Sequence, residues 1–141
     1  MPRLALLNCA IGFLLLSIAA CAGVFLSFYS TSAFLLDKSL LETWLYQLAR
    51  SAHTHTSQFG VLHITFGLTL VFSPLTARFK IIQTILLGSG SIAMSALLLL
   101  RAYGGPTSSF DSLGLLIGAG VSGAIVTLLS HCFALVYKVL R

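Results

Sequence analysis

Three of the chain's four histidines, His53, His55 and His63, fall in one stretch, SAHTHTSQFGVLHITFG, from Ser51 to Gly67. Imidazole can ligate a metal or haem, relay a proton, or stay neutral on a single hydrogen bond. Backbone geometry decides among these. On a helix each residue advances by about 100°, so His53 and His55 point some 200° apart and cannot chelate one metal together. A strand would bring them to one face, but a lone strand cannot cross lipid. The same wheel gathers His53, Thr56, Gly60, His63 and Gly67 on one stripe about 80° wide. Gly60 and Gly67 leave a groove beside His63 that a neighbouring helix, or a flat ring such as haem, would fill. Gln58, Thr65 and Thr69 form a second stripe, with His55 at its edge.

Composition names the solvent these residues meet. Of 141 residues, 57% are hydrophobic and 8% charged, whereas a soluble domain carries roughly a quarter charged residues. Mean hydropathy is +1.02. Lipid fits such a chain, and water does not. The net charge of +5 comes from scattered basic residues, without the basic, aromatic-interleaved patch that nucleic acid requires. Cys9, Cys21 and Cys132 lie in apolar runs and show no zinc-like spacing; they read as small buried hydrophobes.

A bilayer core of about 30 Å takes about 20 helical residues. Four apolar stretches qualify: 4–29, 52–73, 81–100 and 113–136. The first begins like a lipoprotein signal, with IAAC at Ile18–Cys21, but its apolar run continues past Cys21 to Phe28. It is therefore read as a span. Pro74 is expected to end the second span, and GGPTSS, Gly104 to Ser109, to turn between the third and fourth. Residues 34–50 place Leu36, Leu40, Leu41, Trp44, Leu45 and Leu48 at helical spacing. That pattern predicts an amphipathic helix on the outer surface, either separate or running straight into the second span, with SLLE, Ser39–Glu42, as its capping box. The fold expected is all-α: a polytopic membrane protein, one four-transmembrane-helix bundle over residues 1–141.

Basic residues near span ends favour the cytoplasmic side. Arg3, Arg78, Lys80, Lys138 and Arg141 fall on one side; Lys38, Arg50, Arg101 and all three acids fall on the other. Both termini are expected in the cytoplasm, the membrane being a bacterial inner membrane. Within lipid, small residues bring helices together. The packing seams expected are Gly12, Ala19 and Gly23 in the first span, and Gly88, Ser91 and Ser95 in the third. The fourth has two, Gly114, Gly118 and Ser122 on one side, and Gly120, Ala124, Thr127 and His131 on another.

Residues 52–74, AHTHTSQFGVLHITFGLTLVFSP, resemble the second helix of subunit I in haem–copper oxidases and nitric oxide reductases. In that family a histidine at the outer end of this helix ligates low-spin haem, and His55, followed by Thr56 and Ser57, matches it best. The resemblance implies a haem or copper ligand at His55. The family's copper-binding histidines and its second haem ligand have no counterpart here. His63 and His131 cannot share one iron either: they are offset by about 10 Å along the bundle, and axial nitrogens lie about 4 Å apart.

No span contains Asp or Glu, and no paired-carboxylate, triad or phosphate-loop motif occurs. A stand-alone enzyme is not expected, and a carboxylate-driven exporter is disfavoured. Two readings follow. One is a small subunit of a larger, redox-type electron-transport complex, giving packing surface and a ligand from His55, His63 or His53, with Gly60 and Gly67 beside it. The other is an independent channel or carrier with a path lined by His63, Gln58, Thr65 and Thr69. The partners expected are bilayer lipid, other membrane subunits, and a quinone or lipid molecule.

Overall fold

The computed structural model describes residues 2–106 and 111–141. Helix α1 (Pro2–Leu36) leads through a single 3₁₀ turn (Lys38–Glu42) to α2 (Trp44–Leu70). The next rod is α3 (Ala77–Ile92), a π-helical turn (Ala93–Leu97) and α4 (Leu98–Gly104). Helix α5 (Ser112–Val139) closes the chain. No strand occurs among the described residues.

Local chemistry sets the breaks. Asp37 is extended, and its carboxylate accepts from the Ser39 amide. Thr43 caps α2 by accepting from the Tyr46 amide. After α2, Ser73 and Pro74 interrupt the helix, the chain having left it at Leu70, before the proline. Gly105 follows α4 with φ of 77°, a left-handed conformation that glycine adopts without strain. Asp111 then caps α5 through the Gly114 amide. Thr107, Ser108 and Ser109 of the expected turn lie outside the described residues.

The separate surface helix expected over 34–50 does not form. Phe34–Leu36 complete α1, Lys38–Glu42 make the 3₁₀ turn, and residues from Trp44 onward belong to α2. Each helix end leaves four backbone groups without intrahelical partners. Running the amphipathic segment straight into α2 removes one such pair of ends. The cap is Thr43, one residue past the expected box at Ser39–Glu42.

Contacts define an up-and-down bundle. Glycine contacts fix α1 antiparallel to α2: Gly12 meets Gly60 and Ile64, Gly67 meets Ala5 and Cys9, and Gly23 meets His53. Helices α3 and α5 pair the same way, through Gly90 on Ala124 and Gly120 on Ala93. Helix α2 reaches the third rod through His63–Ser91 and Thr56–Ser95. Both chain ends thus lie at one end of the bundle. At the other end Trp44 Nε1 donates to the Arg101 carbonyl at 3.3 Å, and Arg101 pairs with Asp111.

The interior combines an apolar cluster of Phe59, Phe66, Leu70, Leu87 and Ala124 with buried polar side chains, and the surface is apolar. Asn8, His63 and Thr127 are wholly buried, while Phe28, Leu36, Phe133 and Leu6 are each more than two-thirds exposed. A surface of that kind suits lipid. Three helices, Arg3–Leu36, Ala77–Gly104 and Ser112–Val139, are long and apolar enough to cross a membrane. Helix α2 is one residue shorter than these last two and less apolar. Its buried face carries Thr56, Gly60, His63 and Gly67, the residues that join it to its neighbours.

Candidate functional site

His63 is the hub of the interior. Its Nδ1 lies 3.0 Å from Asn8 Oδ1 and its Nε2 lies 2.9 Å from Ser91 Oγ. Asn8 is itself fully committed, because its amide donates to the Leu4 carbonyl and to Thr84 Oγ1, each at 3.0 Å. Asn8 Oδ1 can only accept, so His63 carries a proton on Nδ1. In neutral His63, Nε2 then accepts the Ser91 hydroxyl proton. The Leu87 carbonyl lies 3.1 Å from the same Ser91 oxygen. If Nε2 gains a proton, the Ser91 hydroxyl turns to Leu87 and accepts from Nε2 instead. One hydroxyl rotation therefore accommodates both protonation states, with no atom left unpaired.

The glycine groove beside this ring is occupied by α1. A Cβ on Gly60 would stand 3.0 Å from the Gly12 carbonyl oxygen, and one on Gly67 would stand 2.7 Å from that of Ala5. With both ring nitrogens engaged as well, the expected cofactor pocket of His63, Gly60 and Gly67 is instead a helix–helix seam. His63 lies in the core, and the Gln58–Thr65 stripe lies on the outside of α2.

The other histidines part company around α2, as the helical wheel requires. His53 turns toward α1, where Gly23 leaves room for its ring: a Cβ there would meet Cε1 at 2.9 Å. His53 Nδ1 is buried without a partner. His55 points away, with Nδ1 3.0 Å from Gln58 Oε1, and its Nε2 has no partner among the described residues. His131 stacks edge-on to Phe66 at 4.7 Å and bonds Thr69 Oγ1 through Nε2 at 2.9 Å. The Thr69 hydroxyl has the Thr65 carbonyl at 2.8 Å to receive its proton. Nε2–H of His131 can therefore donate to Thr69, and its Nδ1 is buried without a partner. Among the described residues no three His, Cys, Asp or Glu side chains gather as a metal site.

Of the expected packing residues, Gly12, Ala19, Ser91 and Gly120 are buried in seams, and Gly23 seats His53. Ser95 bonds Thr56 at 2.9 Å. Gly88 and Gly118 have open space where a Cβ would stand, and Ser122 is exposed. On α5 only the Gly120–Ala124–Thr127–His131 face is buried, so the Gly114–Gly118–Ser122 face meets no helix of this chain.

Four further residues contribute: Asn8 and Gln83, which went unnoticed in the sequence, and Lys80 and Lys138, which served there only to set orientation. Asn8, the chain's one asparagine, stands in an otherwise apolar run; a lone amide in a span is the signal that should have marked it. Gln83 donates to Ser130 Oγ at 2.8 Å, joining α3 to α5. Lys80 and Lys138 reach back to the turn that follows α2, donating to the Ser73 and Phe72 carbonyls at 2.7 and 2.8 Å. Cations suit the carbonyl end of a helix. Comparison with protein-family models, curated proteins and solved structures finds no match to this chain.

Proposed function

We propose that the protein is a small integral subunit of a larger membrane assembly, docked through the outward face of α2. One observation carries this reading. Gln58, at the middle of α2, is exposed, and its amide nitrogen has no partner among the described residues. Beside it is the unbonded Nε2 of His55. Unpaired polar groups facing hydrocarbon, here an amide donor and an imidazole lone pair, are unfavourable, and polar side chains in membranes find partners on neighbouring helices. Thr54 and Thr65, by contrast, satisfy their hydroxyls on the Arg50 and Val61 carbonyls of their own helix.

In this reading α2 is the fourth span, its low hydropathy reflecting groups hidden in the bundle. The end holding Arg3, Arg78, Lys80, Lys138 and Arg141 faces the cytoplasm of a bacterial inner membrane. His55 is the histidine with a nitrogen to offer a haem or copper held chiefly by the partner, which gives the assembly its redox character. His63 serves as a structural hub.

A photo-crosslinking residue at position 58 tests the proposal, with one at Phe133 on α5 as control. A distinct polypeptide captured at 58 in fixed ratio is the expected result. A visible haem or copper signature lost in His55→Ala supports the ligand role, and its absence leaves packing alone. Capture of nothing at 58 defeats the proposal. Capture of a second copy, with ion or solute flux in liposomes dependent on Gln58, would favour the channel reading instead.

A further inference from the structure

Between α1, α2 and the α3–α4 rod lies a cavity of about 680 Å³. It runs from Ile11 and Ser91 toward Phe25 and Tyr103, and no charged side chain lines it. Pockets for small molecules span roughly 300–1,000 Å³, mostly apolar with a few convergent polar groups. Here those groups are His53, Thr56, Ser91, Ser95 and the largely exposed Tyr103. Thr56 and Ser95 bond each other, and Ser91 bonds His63. His53 is the exception among the inner four, since neither of its ring nitrogens has a partner among the described residues; Nδ1 is fully buried, which leaves Nε2 as the nitrogen that a bound molecule can reach. Buried polar atoms in folded proteins are nearly always paired. The π-helical turn Ala93–Leu97 forms part of the same wall, and such turns recur at functional sites.

We infer that this cavity binds a neutral, membrane-dissolved molecule with an apolar body and one carbonyl or hydroxyl head, which hydrogen-bonds His53. The uncharged lining disfavours a phosphate headgroup, which would find no cation there. An acyl chain fills the space but leaves His53 unpaired. Quinones and isoprenoid alcohols both carry the required chemistry. This site lies on the opposite side of α2 from Gln58 and does not depend on the subunit reading.

The test uses the full chain in lipid nanodiscs with two probes, a short-tailed photoactivatable quinone and a photoactivatable isoprenoid alcohol. Saturable labelling of cavity residues by either is expected, and the labelling arm identifies the source. Gly88 lines the cavity with open space at its Cβ position, so the side chain of Gly88→Leu starts into the site, takes up its volume and abolishes labelling. His53→Ala weakens it roughly tenfold, the worth of one hydrogen bond. His53→Gln, which keeps a donor and an acceptor, recovers part of that loss. Labelling unchanged in Gly88→Leu and His53→Ala overturns the inference. So does a tightly retained phospholipid chain that neither probe displaces.

Discussion

His63 and Asn8, 55 positions apart in the chain, are joined side chain to side chain at 3.0 Å, and both are wholly buried. The bond ties α1 to α2, and the far sides of the two residues continue to Ser91 and Thr84 on α3. Three helices are therefore held by one connected polar cluster inside an apolar shell.

Removing one member strands the others. Asn8→Leu leaves His63 Nδ1 without an acceptor, and Ser91→Ala leaves Nε2 without a donor. Each is expected to destabilise the fold by about 1–3 kcal/mol, read from unfolding in detergent micelles. A double-mutant cycle between Asn8 and His63 should show a coupling of about 0.5–2 kcal/mol. Additive effects would mean that the bond contributes nothing of its own.

Glycine substitutions should divide by what surrounds them. A Cβ on Gly12 would come within 2.5 Å of the Gly60 carbonyl oxygen, and one on Gly90 within 2.5 Å of Ala124 Cβ. Backbone cannot yield as a flexible side chain would, so Gly12→Val and Gly90→Val are expected to cost about 1–3 kcal/mol or more. Gly118→Ala meets open space and should be neutral or mildly stabilising, because alanine favours helix by about 1 kcal/mol over glycine. Thermal melts of all three variants in one detergent make the comparison.

Acid should loosen the loop end of the bundle. The Gly114 backbone amide, and then the Arg101 side chain, hold the Asp111 carboxyl below its ordinary value of 3.8. A depressed folded-state value stabilises the fold above the unfolded pKa, and that contribution fades as pH falls through the folded one. Unfolding midpoints should therefore drop as pH goes from 5 toward 2. Asp111→Asn should flatten part of that dependence. Identical pH profiles for the two proteins would remove Asp111 from the account.

Four spans would put the ends of α2 on opposite faces of the membrane. Lys38→Cys and Arg78→Cys, each made with Cys9, Cys21 and Cys132 replaced by serine, should react with impermeant maleimide from opposite sides of sealed vesicles. Labelling from the same side would return α2 to one face and leave three spans.

The sequence disclosed some of this architecture and hid the rest for physical reasons. The Gly120–Ala124–Thr127–His131 stripe was legible from its helical period, but so was the Gly114–Gly118–Ser122 stripe, and the choice between them lies in α3, which packs on only the first. The groove at Gly60 and Gly67 was equally visible, but a wheel shows only that space exists. Whether helix or haem fills it depends on α1, whose Gly12 and Ala5 backbones make the contact. Asn8 acquires its role only from His63 and Thr84, far along the chain. The 34–50 segment misled because amphipathic spacing is shared by a surface helix and by the first turns of a longer one.

The wide turn at Ala93–Leu97 has a last consequence. It makes the third rod two separately phased pieces, Gly90 and Ala93 set against α5 and the Arg101 carbonyl set against Trp44. A regular helix has a single phase and would serve one of these neighbours at the expense of the other. Winding the same residues at even pitch would swing Leu99 and Tyr103 by about 100° around the axis, whereas deleting one residue from the turn would restore even pitch and leave both faces in place. The wide turn thus takes up one surplus residue, and so lets a single rod answer to two neighbours.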